Sequence, residues 1–117
     1  SVVSDGTNMI QGLLSKGFGT VDSASVTTYI AVAGDQLLTN TTTAGITITL
    51  PTSAATGDEI VIVDARGTFG SNNLTVNRNG HKINGAESNL VLSTNGQAVT
   101  LVYVDATRGW AFKTNTL

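Results

Sequence analysis

The chain has 117 residues, no cysteine and a formal net charge of −2 at pH 7, and it is 40% apolar but only 12% charged. That length fits one domain able to bury roughly 65% of the surface its unfolded form exposes, and the charged share is about half the usual one, so neutral Thr, Asn, Ser and Gly must cover the surface. Six basic residues scattered singly form no patch able to neutralise several phosphates, which argues against nucleic acid as a partner.

No apolar run approaches the ~20 residues of a spanning helix and no basic-then-apolar leader is present, so no membrane insertion is expected. The absence of cysteine excludes disulfides and thiolate metal sites. A start at Ser1 rather than Met reads as a processed or cut piece of something longer.

Residues 1–25 differ from the rest. Met9, Ile10, Leu13 and Leu14 recur at i, i+1, i+4 and i+5, the spacing of one helical face, with Asp5 or Thr7 able to cap the start and Gly17 and Gly19 to end it. The spacing predicts one short helix, which Gly12 weakens by ~1 kcal/mol and which needs a packing partner. An irregular extended connector is the alternative. Either way the segment reads as an N-terminal stalk or neck, residues 1–25, leading into a β-domain over residues 26–117.

From Thr27 onward strands and turns alternate. Strands are predicted at Thr28–Val32, Gln36–Thr39, Gly45–Leu50, Glu59–Asp64, Leu74–Asn77, Lys82–Ile83, Leu90–Ser93, Val99–Val104 and Trp110–Lys113. Ile46, Ile48 and Leu50 alternate with Thr47 and Thr49, giving one core face and one solvent or partner face. Ile60 and Ile62 alternate with Val61 and Val63, so Glu59–Asp64 is expected to be a central strand covered on both faces. Turn signals such as Asn79-Gly80, Asn84-Gly85, Asn95-Gly96 and Arg108-Gly109 supply positions tolerant of positive φ. Their spacing of about 8 to 12 residues points to an all-β antiparallel sandwich or barrel, without an internal repeat of solenoid length.

The run ITLP (Ile48–Pro51), GDEIVIVDARGTF (Gly57–Phe69), NNLTV with the following Arg-Asn-Gly (Asn72–Gly80), LVL (Leu90–Leu92), GQAVTLVYV (Gly96–Val104) and GW (Gly109–Trp110) resembles the small β-domain of bacteriophage tail fibres and tail spikes. The resemblance covers about the last two-thirds of the chain and rests on turn-and-strand signatures. It implies a virion structural protein contributing to host-cell attachment: a parallel homotrimer, in contact with other tail or baseplate proteins, assembled in the host cytoplasm and residing in the phage tail. Bacterial surface polysaccharide is the partner such a module would meet. The alternative is a carbohydrate-binding module recognising bacterial surface glycans on its own, resting on Trp110 and the polar loop Gly67–Asn73.

Candidate site residues follow. Asp64 and Arg66, two apart at the end of the central strand, form either a polar lock for the glycine-punctuated loop, within one chain or across the subunit boundary of a trimer, or part of a sugar pocket. Trp110, with Arg108 and Tyr103 near it, is the best candidate for a glycan or partner contact, against the competing reading of a core or interface anchor. Met9, Ile10, Leu13 and Leu14 are candidates for packing on a trimer axis. His81 stands alone, so a metal site would need three copies on a threefold axis, and an exposed turn residue is the simpler reading. Glu59 and Asp64, at opposite ends of one strand, would lie ~16 Å apart, too far for a glycosidase pair at ~5 to 10 Å. With no nucleophile, phosphate-binding or metalloprotease motif, no enzymatic activity and no cofactor are expected.

Overall fold

A computed structural model describes residues 18–116. Nine strands account for the regular structure: β1 (Phe18–Asp22), β2 (Thr28–Ile30), β3 (Gln36–Asn40), β4 (Ile46–Thr49), β5 (Glu59–Asp64), β6 (Leu74–Asn77), β7 (Leu90–Leu92), β8 (Ala98–Asp105) and β9 (Gly109–Thr116). No helix occurs among the described residues. Met9, Ile10, Leu13 and Leu14, and with them the predicted helix, lie outside the described residues. The segment assigned to a stalk nevertheless contributes β1, whose register runs from Phe18↔Gln36 to Asp22↔Asn40, so the sheet begins before residue 26.

Two mixed sheets enclose one core, with strand orders β1-β3-β5-β8-β9 and β2-β4-β6-β7. The all-β, two-layer expectation holds, but the antiparallel one is corrected: β1, β3 and β5 are parallel in one sheet and β2, β4 and β6 in the other, and only the pairs β5·β8, β6·β7 and β8·β9 are antiparallel. Each link from β1 through β6 crosses between sheets, so the next strand in a given sheet arrives in the same direction as the last. The chain therefore winds like a short solenoid before closing with three antiparallel strands. Unequal loops hide this winding from the sequence: the register advances 18 residues from Phe18 to Gln36 but 25 from Gln36 to Val61.

Burial explains the alternation. Leu37, Ile60, Ile62, Val99 and Leu101 from the five-stranded sheet meet Ile46, Ile48, Leu74, Val76 and Leu92 from the other in a single apolar cluster, and transfer of such side chains from water stabilises by ~1.5 to 3 kcal/mol each. On the outside of the four-stranded sheet Thr28, Thr47 and Thr75 stand in register across three parallel strands. The Thr-rich composition is thus the solvent half of the period-2 pattern. β5 is central, third of five, but its two faces differ: Ile60 and Ile62 are fully buried whereas Val61 and Val63 are half-buried.

The predicted strand Lys82–Ile83 forms only isolated bridges, Ile83 with Ala86 and with Trp110. It runs beside the start of β9, where Trp110 donates its N–H to the Lys82 carbonyl at 2.8 Å and accepts from Asn84 N at 2.6 Å. This close approach explains the Gly-Trp pair: Gly109 has φ 73°, and a Cβ there would collide with the Lys82 carbonyl.

Candidate functional site

The sequence-predicted site residues are divided between opposite ends of the sandwich. Asp64 and Arg66 lie where β3 and β5 end, among the loops 23–27, 41–45, 65–73 and 93–97; Tyr103, Arg108 and Trp110 lie toward the other end, beside the loops 50–58, 78–89 and 106–108.

At the second end Trp110 has 0% of its surface exposed. Its ring packs edge-on against Tyr103 at 5.5 Å and 70°, and Tyr103 against His81 at 5.3 Å and 75°. The imidazole Nε2 of His81 lies 2.8 Å from the Thr52 carbonyl, and the Arg78 guanidinium donates to the His81 carbonyl at 2.9 Å. The three rings thus plug the end of the core. Trp110 offers no face on which a sugar ring could stack, and of its two sequence readings the geometry gives core anchor. Its Nε1–H has no hydrogen-bond partner among the described residues. His81 is half-buried rather than a free turn residue. Arg108 is exposed, and its backbone N–H is held by the Asp105 carboxylate at 2.7 Å in the β8–β9 turn.

At the first end the organising group is the Asp64 carboxylate, 7% exposed. It accepts the backbone N–H of Thr68 at 3.1 Å on Oδ1 and those of Phe69 at 3.0 Å and Gly96 at 2.9 Å on Oδ2. Burial by itself pushes its pKa up, but the amide donors of Gly96, Phe69, Thr68 and Arg66 outweigh it and hold the carboxyl below the ordinary carboxylate value. Arg66 joins the lock through its backbone N–H, and no Asp64–Arg66 ion pair forms among the described residues. Within this chain the Asp64 carboxylate ties the loop backbone, while the Arg66 side chain is exposed.

The loops that Asp64 anchors are tied to one another by neutral groups. Thr41 and Thr68 hydroxyls meet at 2.6 Å, Asn72 Nδ2 donates to the Thr41 carbonyl at 2.8 Å, and Gly70 N–H donates to Asn95 Oδ1 at 2.7 Å. Phe69, fully buried, pins the long loop into the core from above. The result is a fixed platform of Asn, Thr, Ser and Gly with the Arg66 guanidinium exposed upon it. Its chemistry is hydrogen bonding with one cation, suited to polar hydroxyl-bearing ligands. Sequence reading found Asp64, Arg66 and the polar loop Gly67–Asn73 that holds Asn72, but did not single out Thr41 or Asn95, whose only local signal is the preference of Asn and Thr for turns.

Among the described residues no group of three or more His, Cys, Asp or Glu is arranged to hold a metal ion, and no helix is long and apolar enough to cross a membrane. No protein-family model and no curated protein matches this chain.

Proposed function

We propose that this chain is a structural, receptor-facing module of a bacteriophage tail fibre or tail spike, working as a homotrimer in the virion and contributing to host attachment. The observation that carries the reading is the surface: 12% charged residues overall, with Thr ladders outside one sheet and half-buried Leu38, Val61, Val63 and Val102 outside the other. A sheet face lined by apolar side chains is ordinarily covered. Fibre assembly would cover it, and the sequence resemblance of Ile48–Trp110 to tail-fibre and tail-spike domains points the same way. Multi-angle light scattering of the 117-residue chain is the test: a mass three times that of the 12.0 kDa chain is expected, and a monomer at micromolar concentration overturns the trimer.

A second reading, a glycan-binding module, is favoured by the Asp64-anchored platform rather than by the aromatic residues. Here Arg66→Ala lowers adsorption to bacterial surface polysaccharide while leaving the fold intact; undiminished adsorption removes this end as the contact.

A further inference from the structure

Asn-Gly is the dipeptide most prone to spontaneous rearrangement, because glycine carries no side chain to hinder the attack of its amide nitrogen on the preceding carboxamide. The chain has three such pairs, Asn79-Gly80, Asn84-Gly85 and Asn95-Gly96, all outside the strands and all with the glycine exposed. The carboxamides are similarly restrained: Asn79 Nδ2 donates to the Leu50 carbonyl at 2.9 Å, Asn84 Oδ1 accepts from Phe112 N at 3.4 Å and Asn95 Oδ1 accepts from Gly70 N at 2.7 Å. The glycine nitrogens differ. Gly85 N donates to the Arg108 carbonyl at 2.9 Å and Gly96 N to the Asp64 carboxylate at 2.9 Å, whereas Gly80 N has no acceptor among the described residues. The cause is tertiary. Asn79-Gly80 and Asn84-Gly85 occupy the same kind of turn, with φ 49° and 88° in one and 52° and 79° in the other, closed by His81 N on the Arg78 carbonyl at 3.1 Å and by Ala86 N on the Ile83 carbonyl at 3.0 Å. Such a turn uses the amide of its fourth residue and leaves that of its third pointing outward. The β8–β9 turn brings Arg108 to receive the third amide at Gly85, and among the described residues none receives it at Gly80.

We infer that Asn79-Gly80 is a site of spontaneous deamidation, and that tertiary hydrogen bonds protect the other two pairs. The Gly80 nitrogen gives up its proton to solvent base and attacks Cγ of Asn79; the N–Cγ bond forms, the Cγ–Nδ2 bond breaks, and the side-chain nitrogen takes a proton from water and leaves as ammonia. Water then opens the five-membered imide at either carbonyl, giving aspartate or, with the chain rerouted through Cβ and Cγ, isoaspartate. One water is consumed and one ammonia released, with no change of oxidation state. Gly85 and Gly96 hold that proton against an acceptor, and a deprotonated Gly96 amide would also meet the negative charge of Asp64. Those two pairs therefore react only when their turns open. At Asn79 the product carboxylate faces the Leu50 carbonyl where an N–H had donated, so the side-chain tie between the loops 50–58 and 78–89 is lost beside the aromatic plug. The same event adds a negative charge to a chain of which only 12% is charged.

The unsubstituted chain carries its own controls. It is kept folded in warm, mildly alkaline buffer, with unchanged Trp110 emission as the check, then digested, and the three Asn-Gly peptides are followed by mass for the exchange of NH2 for OH. Asn79 is expected to convert about tenfold or more faster than Asn84 and Asn95. In concentrated guanidinium chloride the three rates are expected to converge, because only the preceding residue, Arg78, Ile83 or Thr94, then distinguishes them. An Asn79 rate in the folded chain no faster than the other two overturns the proposal. So does an equal preference for Asn79 in the unfolded chain, which makes it a property of the local sequence. Asp64→Ala tests the protection itself: Gly96 N loses its acceptor, so Asn95 is expected to gain on Asn84 within the same folded sample by about fivefold or more, and an unchanged ratio of the two overturns hydrogen bonding of the glycine nitrogen as the cause.

Discussion

Replacing Asp64 by Ala removes the acceptor shared by the N–H groups of Thr68, Phe69 and Gly96. Phe69 is fully buried, so its amide is left without water at a cost of about 1 to 3 kcal/mol. Thr68 and Gly96 lie nearer solvent, and water recovers part of their bonds, leaving about 0.5 to 1 kcal/mol each. The sum is about 3 kcal/mol, a large part of the ~5 to 15 kcal/mol expected of a domain, and corresponds to a drop in Tm of about 12 °C or more. Asp64→Asn keeps one acceptor oxygen but turns an NH2 toward an N–H donor, so it recovers only part of the loss. The pH dependence follows from the sign of the shift. Because the folded carboxyl titrates below its unfolded value, its contribution is complete above the ordinary Asp pKa of ~3.9 and is lost as pH falls through the folded value. Urea unfolding of the parent and of Asp64→Asn, followed by Trp110 emission at pH 7 and at steps down to pH 2, should show a gap that narrows below about pH 4. A loss under ~1 kcal/mol for Asp64→Ala at pH 7, or a gap between parent and Asp64→Asn that does not change with pH, would refute the assignment of Asp64 as the anchor of this end.

Three further outcomes test the packing. Gly109→Ala places a methyl group against the Lys82 carbonyl at a φ of 73°; a loss of about 3 kcal/mol or failure to fold is expected in a thermal melt, and a near-neutral result means that Lys82 does not approach so closely. Trp110→Ala empties the centre of the aromatic plug and should lower stability by about 3 to 5 kcal/mol in urea unfolding; a soluble, fully stable variant deficient only in glycan binding would restore the surface reading of this residue. The Lys113–Glu59 ion pair, 2.9 Å apart with both side chains well exposed, should contribute under ~1 kcal/mol, so Lys113→Ala changes Tm little and raising the salt concentration removes what difference there is.

Local pattern sufficed wherever the physics is local. The alternation of Ile46, Ile48 and Leu50 with Thr47 and Thr49 reports which side chains meet oil and which meet water. Eight of the nine predicted strands and β5's place in the middle of a sheet were therefore legible, as was Asp64 as a turn-closing acid. What a period of two does not encode is direction or partner: a strand reads the same whether its neighbour runs parallel or antiparallel. That choice was made by loops of unequal length that carry the chain from sheet to sheet and set β1, β3 and β5 side by side, and it also drew Phe18–Asp22 into the sheet, where Gly17 and Gly19 had read as the end of a helix. Likewise, the sequence alone favoured Trp110 as an anchor but left a platform open. Only the tertiary approach of Lys82–Asn84 along the start of β9, permitted by Gly109, buries the indole, at the end of the sandwich opposite the Asn- and Thr-rich loops around Asp64.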